Sequence, residues 1–396
     1  MKILFINTYC NGSTGNIVND ISLFLEEKNI DTVKCYGREP AKNNDWFYCG
    51  TNRLINFCSN VLTFFTGNIG SFHLTETRKL LKKIESEKPD IIHIHNLHGN
   101  YLNFKRLFKY LRHNYAGKIV FTAHDDFLYT GRCASAGCDC WKTGCTKCNF
   151  KSLYPHTLID KSNKLFLQKK EMLNSLDACF VFPSDFMLNN SRQSPIGFRN
   201  VYRIYNGIKD DNNVLSKTNE IKSYIQKGKA NILCVANPWN KDKGIDYINF
   251  LSRQLNGSCF NLIIVGVTKK TKKLFQKNSS IVLVGYLQKN DLSYLYENCD
   301  FLLVTSRRES FSLVTVESMM HGLPIISLNT GPAKNLIDED CGVVVDQDKE
   351  LLLNTIKSFS WHSYDKKTIM EKAKKFLSSK MVEAYYSLYC ELLKRE

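Results

Sequence analysis

The sequence predicts an α/β protein built from two parallel, doubly wound domains, and three observations carry that expectation. Short apolar runs alternate with helix-length polar stretches along the whole chain, the pattern of parallel α/β architecture. At 396 residues the chain is long for one core and comfortable for two. Near its middle, Asn206 to Lys229 is rich in Asn, Lys, Ser and Gly and nearly free of large apolar residues, so it reads as a connection.

In the first half, strands are expected near Ile3–Ile6, Ile91–Ile94, Ile119–Thr122, Ala178–Phe182 and Val201–Ile204. In the second they are expected near Ile232–Val235, Leu262–Val265, Ile281–Val284, Phe301–Val304, Pro324–Ser327 and Gly342–Val345. The domain division that follows is 1–207, a linker over 208–229, a second domain over 230–380, and a terminal helix over 381–396 that returns to the first domain. Hydrophobic residues make up 43% of the chain, enough to fill both cores.

The 15 cysteines are odd in number and scattered, and Cys179 and Cys234 sit in apolar strand-like runs. Reduced thiols in a cytoplasm are expected rather than a disulfide framework. Only four apolar residues follow Met1-Lys2, too few for a signal-peptide core, and no run of about 20 apolar residues exists to span a membrane. A net charge of +16 favours an anionic partner, whether nucleotide diphosphate, anionic membrane or nucleic acid. The lysines are spread without a basic helix or aromatic-interleaved strand, which counts against nucleic acid.

Ligands of open α/β sheets bind beyond the carboxyl ends of the strands, and between two facing sheets the cleft is the expected site. The most informative segment follows the strand Phe301–Val304 and opens a helix: Ser306-Arg307-Arg308-Glu309-Ser310-Phe311-Ser312-Leu313-Val314-Thr315-Val316-Glu317. Free N–H groups at a helix start would receive a diphosphate over Ser312 and Leu313. Glu309 would then face the group beyond the phosphates and Glu317 the group before them. Lys243, at the helix start in Asn237-Pro238-Trp239-Asn240-Lys241-Asp242-Lys243-Gly244, can neutralise a leaving diphosphate.

Upstream, Asn7 to Gly15 forms a glycine-bearing turn after the first strand, where Gly12 and Gly15 let backbone approach a ligand and Ser13 or Thr14 can cap the helix. His93 and His95 alternate with apolar residues and read as structural histidines rather than metal ligands. The loop Asn96-Leu97-His98-Gly99-Asn100-Tyr101 follows them and can contact an acceptor. His124 stands directly after another strand, followed by Asp125 and Asp126.

Cys133, Cys138, Cys145 and Cys148, within a loop over 131–150, have the ingredients of a tetrahedral zinc site holding an otherwise coreless segment. Unligated thiols or a reversible disulfide are the other reading. Between Arg53 and Phe72, apolar residues including Leu54, Phe57, Leu62 and Phe65 recur at near-helical spacing. Such a stripe is expected to face a core, with a shallow interfacial helix as the alternative.

The Glu309–Glu317 segment resembles the E-x7-E motif of the retaining nucleotide-sugar glycosyltransferases of family four, which adopt the GT-B fold of two facing Rossmann-like domains. Pro89-Asp90-Ile91-Ile92-His93-Ile94-His95-Asn96, Thr122-Ala123-His124-Asp125, Asn206-Gly207-Ile208, Lys243-Gly244 and His321-Gly322-Leu323-Pro324-Ile325-Ile326 resemble further family segments in family order. His124 to Cys148 is similar to a narrower bacterial branch that builds surface polysaccharides such as capsule, colanic acid or O-antigen.

The resemblance implies catalysis by Glu309, His124 and Lys243, with Gly12, Gly15, Tyr286, Arg307, Arg308, Ser312, Leu313 and Glu317 completing the donor site. It places Tyr286 against the nucleobase, Glu317 on the ribose, Glu309 on the sugar and His124 on the donor. Asn96, His98 and Asp125 fall on the acceptor side. The wider family carries an arginine about five residues before Lys243 where this chain has Pro238, so either Lys241, Arg307 or Arg308 supplies the second charge or leaving-group stabilisation is weaker. The expected activity is retaining transfer of a sugar from a nucleoside diphosphate sugar to a hydroxyl of a glycan or lipid-linked glycan. No obligatory metal is expected, because the acidic triplets Asp338–Asp340 and Asp346–Asp348 lie away from the motifs. The enzyme is expected in the cytoplasm or peripherally on the inner membrane face. Two rivals are a nucleotide-sugar epimerase on the same fold and a nucleic-acid-binding module.

Overall fold

A computed structural model describes residues 1–41, 45–136, 138–148, 154–210, 219–275 and 280–394. It divides into two compact units, Met1–Tyr205 with Met381–Glu396, and Asn206–Lys380. Parts of the expected linker (211–218) and of the cysteine loop (137, 149 and 150) lie outside the described residues. Of the remaining linker, Asn219–Ser223 is helical, with Ile221 buried in the second unit.

The first unit carries β1 (Lys2–Asn7), β2 (Asp31–Tyr36), β3 (Phe47–Tyr48), β4 (Ile91–Ile94), β5 (Lys118–Thr122), β6 (Ala178–Phe182) and β7 (Val201–Arg203). Its helices are α1 (Gly12–Glu27), α2 (Arg53–Thr66), α3 (Leu74–Glu87), α4 (Phe104–His113), α5 (Ser162–Asn174) and α6 (Asp185–Gln193). The strands pair in the order β3-β2-β1-β4-β5-β6-β7, every pair parallel.

The second unit carries β8 (Ala230–Val235), β9 (Phe260–Val265), β10 (Ile281–Leu283), β11 (Phe301–Val304), β12 (Ile325–Leu328) and β13 (Gly342–Val345). Its helices are α7 (Asn219–Ser223), α8 (Ile245–Gln254), α9 (Lys289–Asn298), α10 (Leu313–Met320), α11 (Ala333–Leu336), α12 (Lys349–Ser358) and α13 (Lys366–Ala373). The sheet order is β10-β9-β8-β11-β12-β13, again all parallel. Each sheet therefore has the Rossmann-like doubly wound order, with its switch point beside the unit's first strand.

Central strands of both sheets are apolar because helices cover both faces. Ile3, Leu4, Phe5 and Ile6 are all fully buried, as are Leu262, Ile263 and Ile264. A last helix, α14 (Ser378–Lys394), lays Met381, Tyr385, Leu388 and Tyr389 against Ile3, Phe5, Val120 and Val181 in the core of the first unit. Burying an apolar side chain of this size contributes roughly 1.5–3 kcal/mol.

Two elements depart from the sequence reading. β2 and β3 were not expected, because the half-exposed run Asp31–Tyr36 has Lys34 in its middle; Lys34 is buried against the sheet and pairs with Asp45. The stripe on α2 does not face a core. Its buried residues are Ser59 and Thr63, while Leu54, Phe57, Leu62 and Phe65 are exposed.

Candidate active site

In the second unit, the turn between β11 and α10 is bound to the loop after β8. The Arg307 N–H donates to the Asp242 carbonyl (2.8 Å), and the Thr305 hydroxyl donates to the Lys243 carbonyl (2.9 Å). Gly244 makes this approach possible: its φ is 77°, and a Cβ there would lie 2.1 Å from the Thr305 carbonyl oxygen. The Glu309 N–H donates to the Thr330 carbonyl at 3.1 Å, fixing the other side of the turn. These bonds bring Lys243 Nζ to 2.7 Å from Glu309 Oε1, with both side chains half-buried.

Ser312 precedes α10 with a φ of 76°, the left-handed region that a serine occupies at a conformational cost. Its hydroxyl bonds Thr315 Oγ1 (2.7 Å) instead of capping the helix, so the positive end of α10 carries no cap from its own N-cap residue. Leu313 is the first helical residue. Further along, Glu317 Oε2 accepts a hydrogen bond from the Tyr296 hydroxyl (2.9 Å), and burial pushes the Glu317 carboxyl above its usual range. Tyr296 is fixed in turn by stacking on His321.

Arg307 is held by an ion pair and a ring contact. Its Nη2 lies 2.7 Å from Asp246 Oδ2, an oxygen shared with Lys349 at 3.2 Å, and the guanidinium sits 5.1 Å from the centre of the Tyr247 ring. Tyr286 stands in the loop after β10 and is strongly exposed. Sequence reasoning missed Tyr296 and Asp246, since neither belongs to a motif or periodic pattern. Of the acidic triplets, Asp338 and Asp340 both bond Lys372 at 2.6 Å, and Asp348 caps α12.

In the first unit, α1 begins at Gly12, whose φ is 72°, and a Cβ on Gly15 would lie 2.6 Å from the Cys10 carbonyl carbon. Ser13 and Thr14 do not cap this helix; Asn11 occupies the cap position, and Thr14 Oγ1 accepts from Asn7 Nδ2 at 3.1 Å. At the carboxyl ends of β4 and β5 the histidines form a relay. His93 bonds Tyr389 (2.7 Å) and Thr122 (2.8 Å), and His95 Nδ1 lies 2.8 Å from His124 Nε2. Burial depresses all three, His124 to about 4, so they stay neutral and mutually hydrogen-bonded.

A second pair lies beside this relay. His98 Nε2 is 2.6 Å from Asp125 Oδ2, and Asp125 Oδ1 accepts the Phe127 N–H at 2.8 Å. His98 Nδ1 is enclosed and has no hydrogen-bond partner among the described residues. Although burial opposes charge on both groups, Asp125 raises the His98 pKa and His98 lowers that of Asp125. Asn96 is buried in the same loop, its carbonyl accepting from the Tyr101 hydroxyl at 2.7 Å.

The cysteine loop is not coreless. Tyr129 and Trp141 pack edge to face with ring centres 5.0 Å apart, and Cys133, Ala136 and Cys145 join the same apolar cluster. Lys169 donates from below to the Phe127 and Thr130 carbonyls. Cys138 Sγ approaches Cys140 Sγ at 3.0 Å, and Cys145 Sγ accepts from the Gly131 N–H. Among the described residues no three His, Cys, Asp or Glu side chains form a metal-holding group, Cys133, Cys138, Cys145 and Cys148 included.

Residues 36–212 match the family described as Glycosyltransferase Family 4, and residues 216–376 match Glycosyl transferases group 1. An uncharacterized 41.2 kDa protein in the cps region of Klebsiella pneumoniae is 24% identical, covering 98% of this chain and 99% of its own length. WcaC of Escherichia coli K12, named as a candidate colanic acid biosynthesis glycosyl transferase, is 27% identical over 72% of this chain and 70% of its own. Among solved structures, Alr3699/HepE of Anabaena in complex with UDP-glucose superposes with a TM-score of 0.67 at 15% identity, covering 99% of this chain and 100% of its own. Two all-parallel Rossmann-like units, each matched over most of its length by a glycosyltransferase domain, fix the assignment: the chain belongs to the group 1, family 4 glycosyltransferases of the GT-B fold.

Proposed function

We propose that this glycosyltransferase moves a hexose-like unit, with retention, from a nucleoside diphosphate sugar to a hydroxyl of a lipid-linked glycan during synthesis of a bacterial surface polysaccharide. The observation that carries the reading is the Lys243–Glu309 contact of 2.7 Å just before the start of α10, which the Ser312 side chain does not cap. A cation, a carboxylate and a helix N-terminus held together suit a sugar diphosphate: the helix end and Lys243 take the phosphates, and Glu309 takes sugar hydroxyls. The names of the two relatives, one from a capsule region and one from colanic acid synthesis, support the polysaccharide context. The UDP-glucose complex of the solved neighbour supports a uridine diphosphate donor.

Catalysis in this reading rests on positioning and on stabilising the departing diphosphate by Lys243, the α10 terminus and either Arg308 or Lys241. His124, neutral in its relay, donates to the donor, and Glu317, held by Tyr296, binds the ribose. Tyr286, Gly12 and Gly15 complete the donor contacts. No divalent metal is required, so activity is expected to persist in chelator. Incubation with UDP and GDP sugars tests the reading: release of nucleoside diphosphate from one of them supports it, and turnover of none sinks it.

Glu317→Ala is expected to raise the donor KM several-fold with kcat little changed, because a ribose contact is equally present in ground and transition states. Steady-state kinetics check this; unchanged KM with collapsed kcat would remove Glu317 from the ribose.

On the acceptor side, Asn96 and the His98–Asp125 pair position the incoming hydroxyl. Asp125 accepts from the His98 Nε2–H and holds the neutral ring in one orientation beside the incoming hydroxyl. His98 must be neutral for this, and Asp125 raises its pKa above 6.5, so kcat/KM for the acceptor should climb with pH through that raised value. Asp125→Asn removes the raising charge and should move this acid limb to lower pH. A limb that stays in place would detach the pair from the reaction.

A further inference from the structure

The helix α2 is amphipathic in the opposite sense from a core-packed helix. At about 100° per residue, Leu54, Phe57, Val61, Leu62, Phe64 and Phe65 fall within one arc of roughly half the circumference. Asn56, Ser59, Asn60 and Thr63 fill the other. The polar arc is the one turned inward: Asn100 Nδ2 lies 3.0–3.1 Å from Ser59 Oγ, Asn60 Oδ1 and Thr63 Oγ1, and Ser59 Oγ lies 2.7 Å from His73 Nε2. The apolar arc is left in solvent, with Leu54 70% exposed, Phe57 65% and Phe65 56%. Asn52 caps the helix start and Gly67, with φ of 67°, ends it, so the face is presented on a fully formed element.

The exposed surface continues beyond the helix. The Leu158 N–H donates to the Phe64 carbonyl at 2.8 Å, which sets exposed Leu158 and Ile159 beside the Phe64–Phe65 pair. On the other side Ile55 and Leu62 share a shallow groove with exposed Leu74. Contiguous apolar patches of this kind mark interaction sites.

Charge selects the occupant. α2 contains no Asp or Glu and begins with exposed Arg53; Lys79 lines the groove, and Lys161 reaches Asn68 just past the helix end (2.7 Å). The nearby carboxylates are engaged elsewhere, Glu76 with His73 and Asp160 with Ser162. An apolar helical face edged by cations fits the interface of an anionic bilayer, where aromatic and aliphatic side chains enter the headgroup boundary and the cations meet lipid phosphates.

We propose that α2, with Leu158 and Ile159, is the membrane-docking surface of this enzyme, seated shallowly in an anionic lipid interface. The inference deepens the reading of a lipid-linked acceptor by naming the surface that brings the enzyme to it. Asn100, which grips the polar face of α2, lies in the same loop as His98, so docking and the acceptor-side pair share one scaffold.

The test is sedimentation of the full chain with vesicles of phosphatidylcholine alone and of phosphatidylcholine mixed with phosphatidylglycerol, at low and high salt. Neither donor nor acceptor is present, so its outcome is independent of the transfer assay. Wild-type protein should sediment with the mixed vesicles at low salt and less so at high salt. The Phe57→Ser/Phe65→Ser variant, altered only at exposed positions and checked by circular dichroism, should lose binding by about tenfold or more. Arg53→Glu should weaken binding to the mixed vesicles while leaving the fold unchanged. Equal failure of wild type to sediment with either vesicle overturns the proposal, as does undiminished binding of the folded double variant. A lipid-independent dimer that the double variant dissolves, without vesicle binding, would assign the face to a second copy of the chain.

Discussion

Glu309→Ala is expected to lower kcat/KM for sugar transfer by about a thousandfold while the protein stays folded and soluble. The carboxylate is half-buried at the end of a turn, and that turn is fixed by backbone bonds from Arg307 and Glu309 that the substitution leaves intact. What is lost is the group that holds the sugar and the partner that aims Lys243. Steady-state transfer rates and a thermal melt, measured together, check the result. Loss of folded protein would place Glu309 in a structural network, and near-normal transfer would remove it from the chemistry.

Lys243→Ala comes next in size, with a loss of about a hundredfold to a thousandfold, because it withdraws a charge from a diphosphate whose negative charge grows as the bond to the sugar breaks. The family arginine that would share this load is absent; Pro238 stands in its place. Arg307 is committed to Asp246, so Arg307→Ala should disturb the contact between α8 and α12 more than the kinetics. Arg308→Ala or Lys241→Ala should resemble a milder Lys243→Ala. The Lys243→Ala/Glu309→Ala double variant should be far less impaired than the product of the single losses, since the two side chains act as one unit at 2.7 Å. Full additivity would mean that the contact is incidental.

The parallel sheets were legible because strands covered on both faces read as near-continuous apolar runs. β11 and β13 fall where their runs Phe301–Val304 and Gly342–Val345 predict. β2 was not legible, because it is half-exposed and interrupts its pattern with Lys34, a residue paired with Asp45. On α2 the periodicity showed which residues share a face but not which way that face points. The direction is set by Asn100 and His73, polar partners remote in sequence that claim Ser59 and Thr63.

The candidate site divides in the same way. The helix start at Ser312–Leu313 could be read from its local segment. The meeting of Lys243 with Glu309 could not, because it depends on Gly244 letting two distant loops touch. The Arg307–Asp246 contact was not legible for the same reason, since Asp246 lies on the distant helix α8. The cysteine loop read as coreless, with zinc and unligated thiols both open, because Trp141 and Tyr129 give no periodic signal; the two rings supply an apolar core there.

The central claim is transfer of a sugar with its anomeric configuration kept. Proton NMR of the reaction, with the donor identified by the UDP and GDP panel and a lipid-linked glycan as acceptor, follows the anomeric signal from donor to product. The account predicts that the donor's anomeric doublet is replaced by a glycosidic signal of the same configuration as nucleoside diphosphate appears, and that Glu309→Ala abolishes the change. A product of inverted configuration, or interconversion of nucleotide sugars without any acceptor, would contradict it.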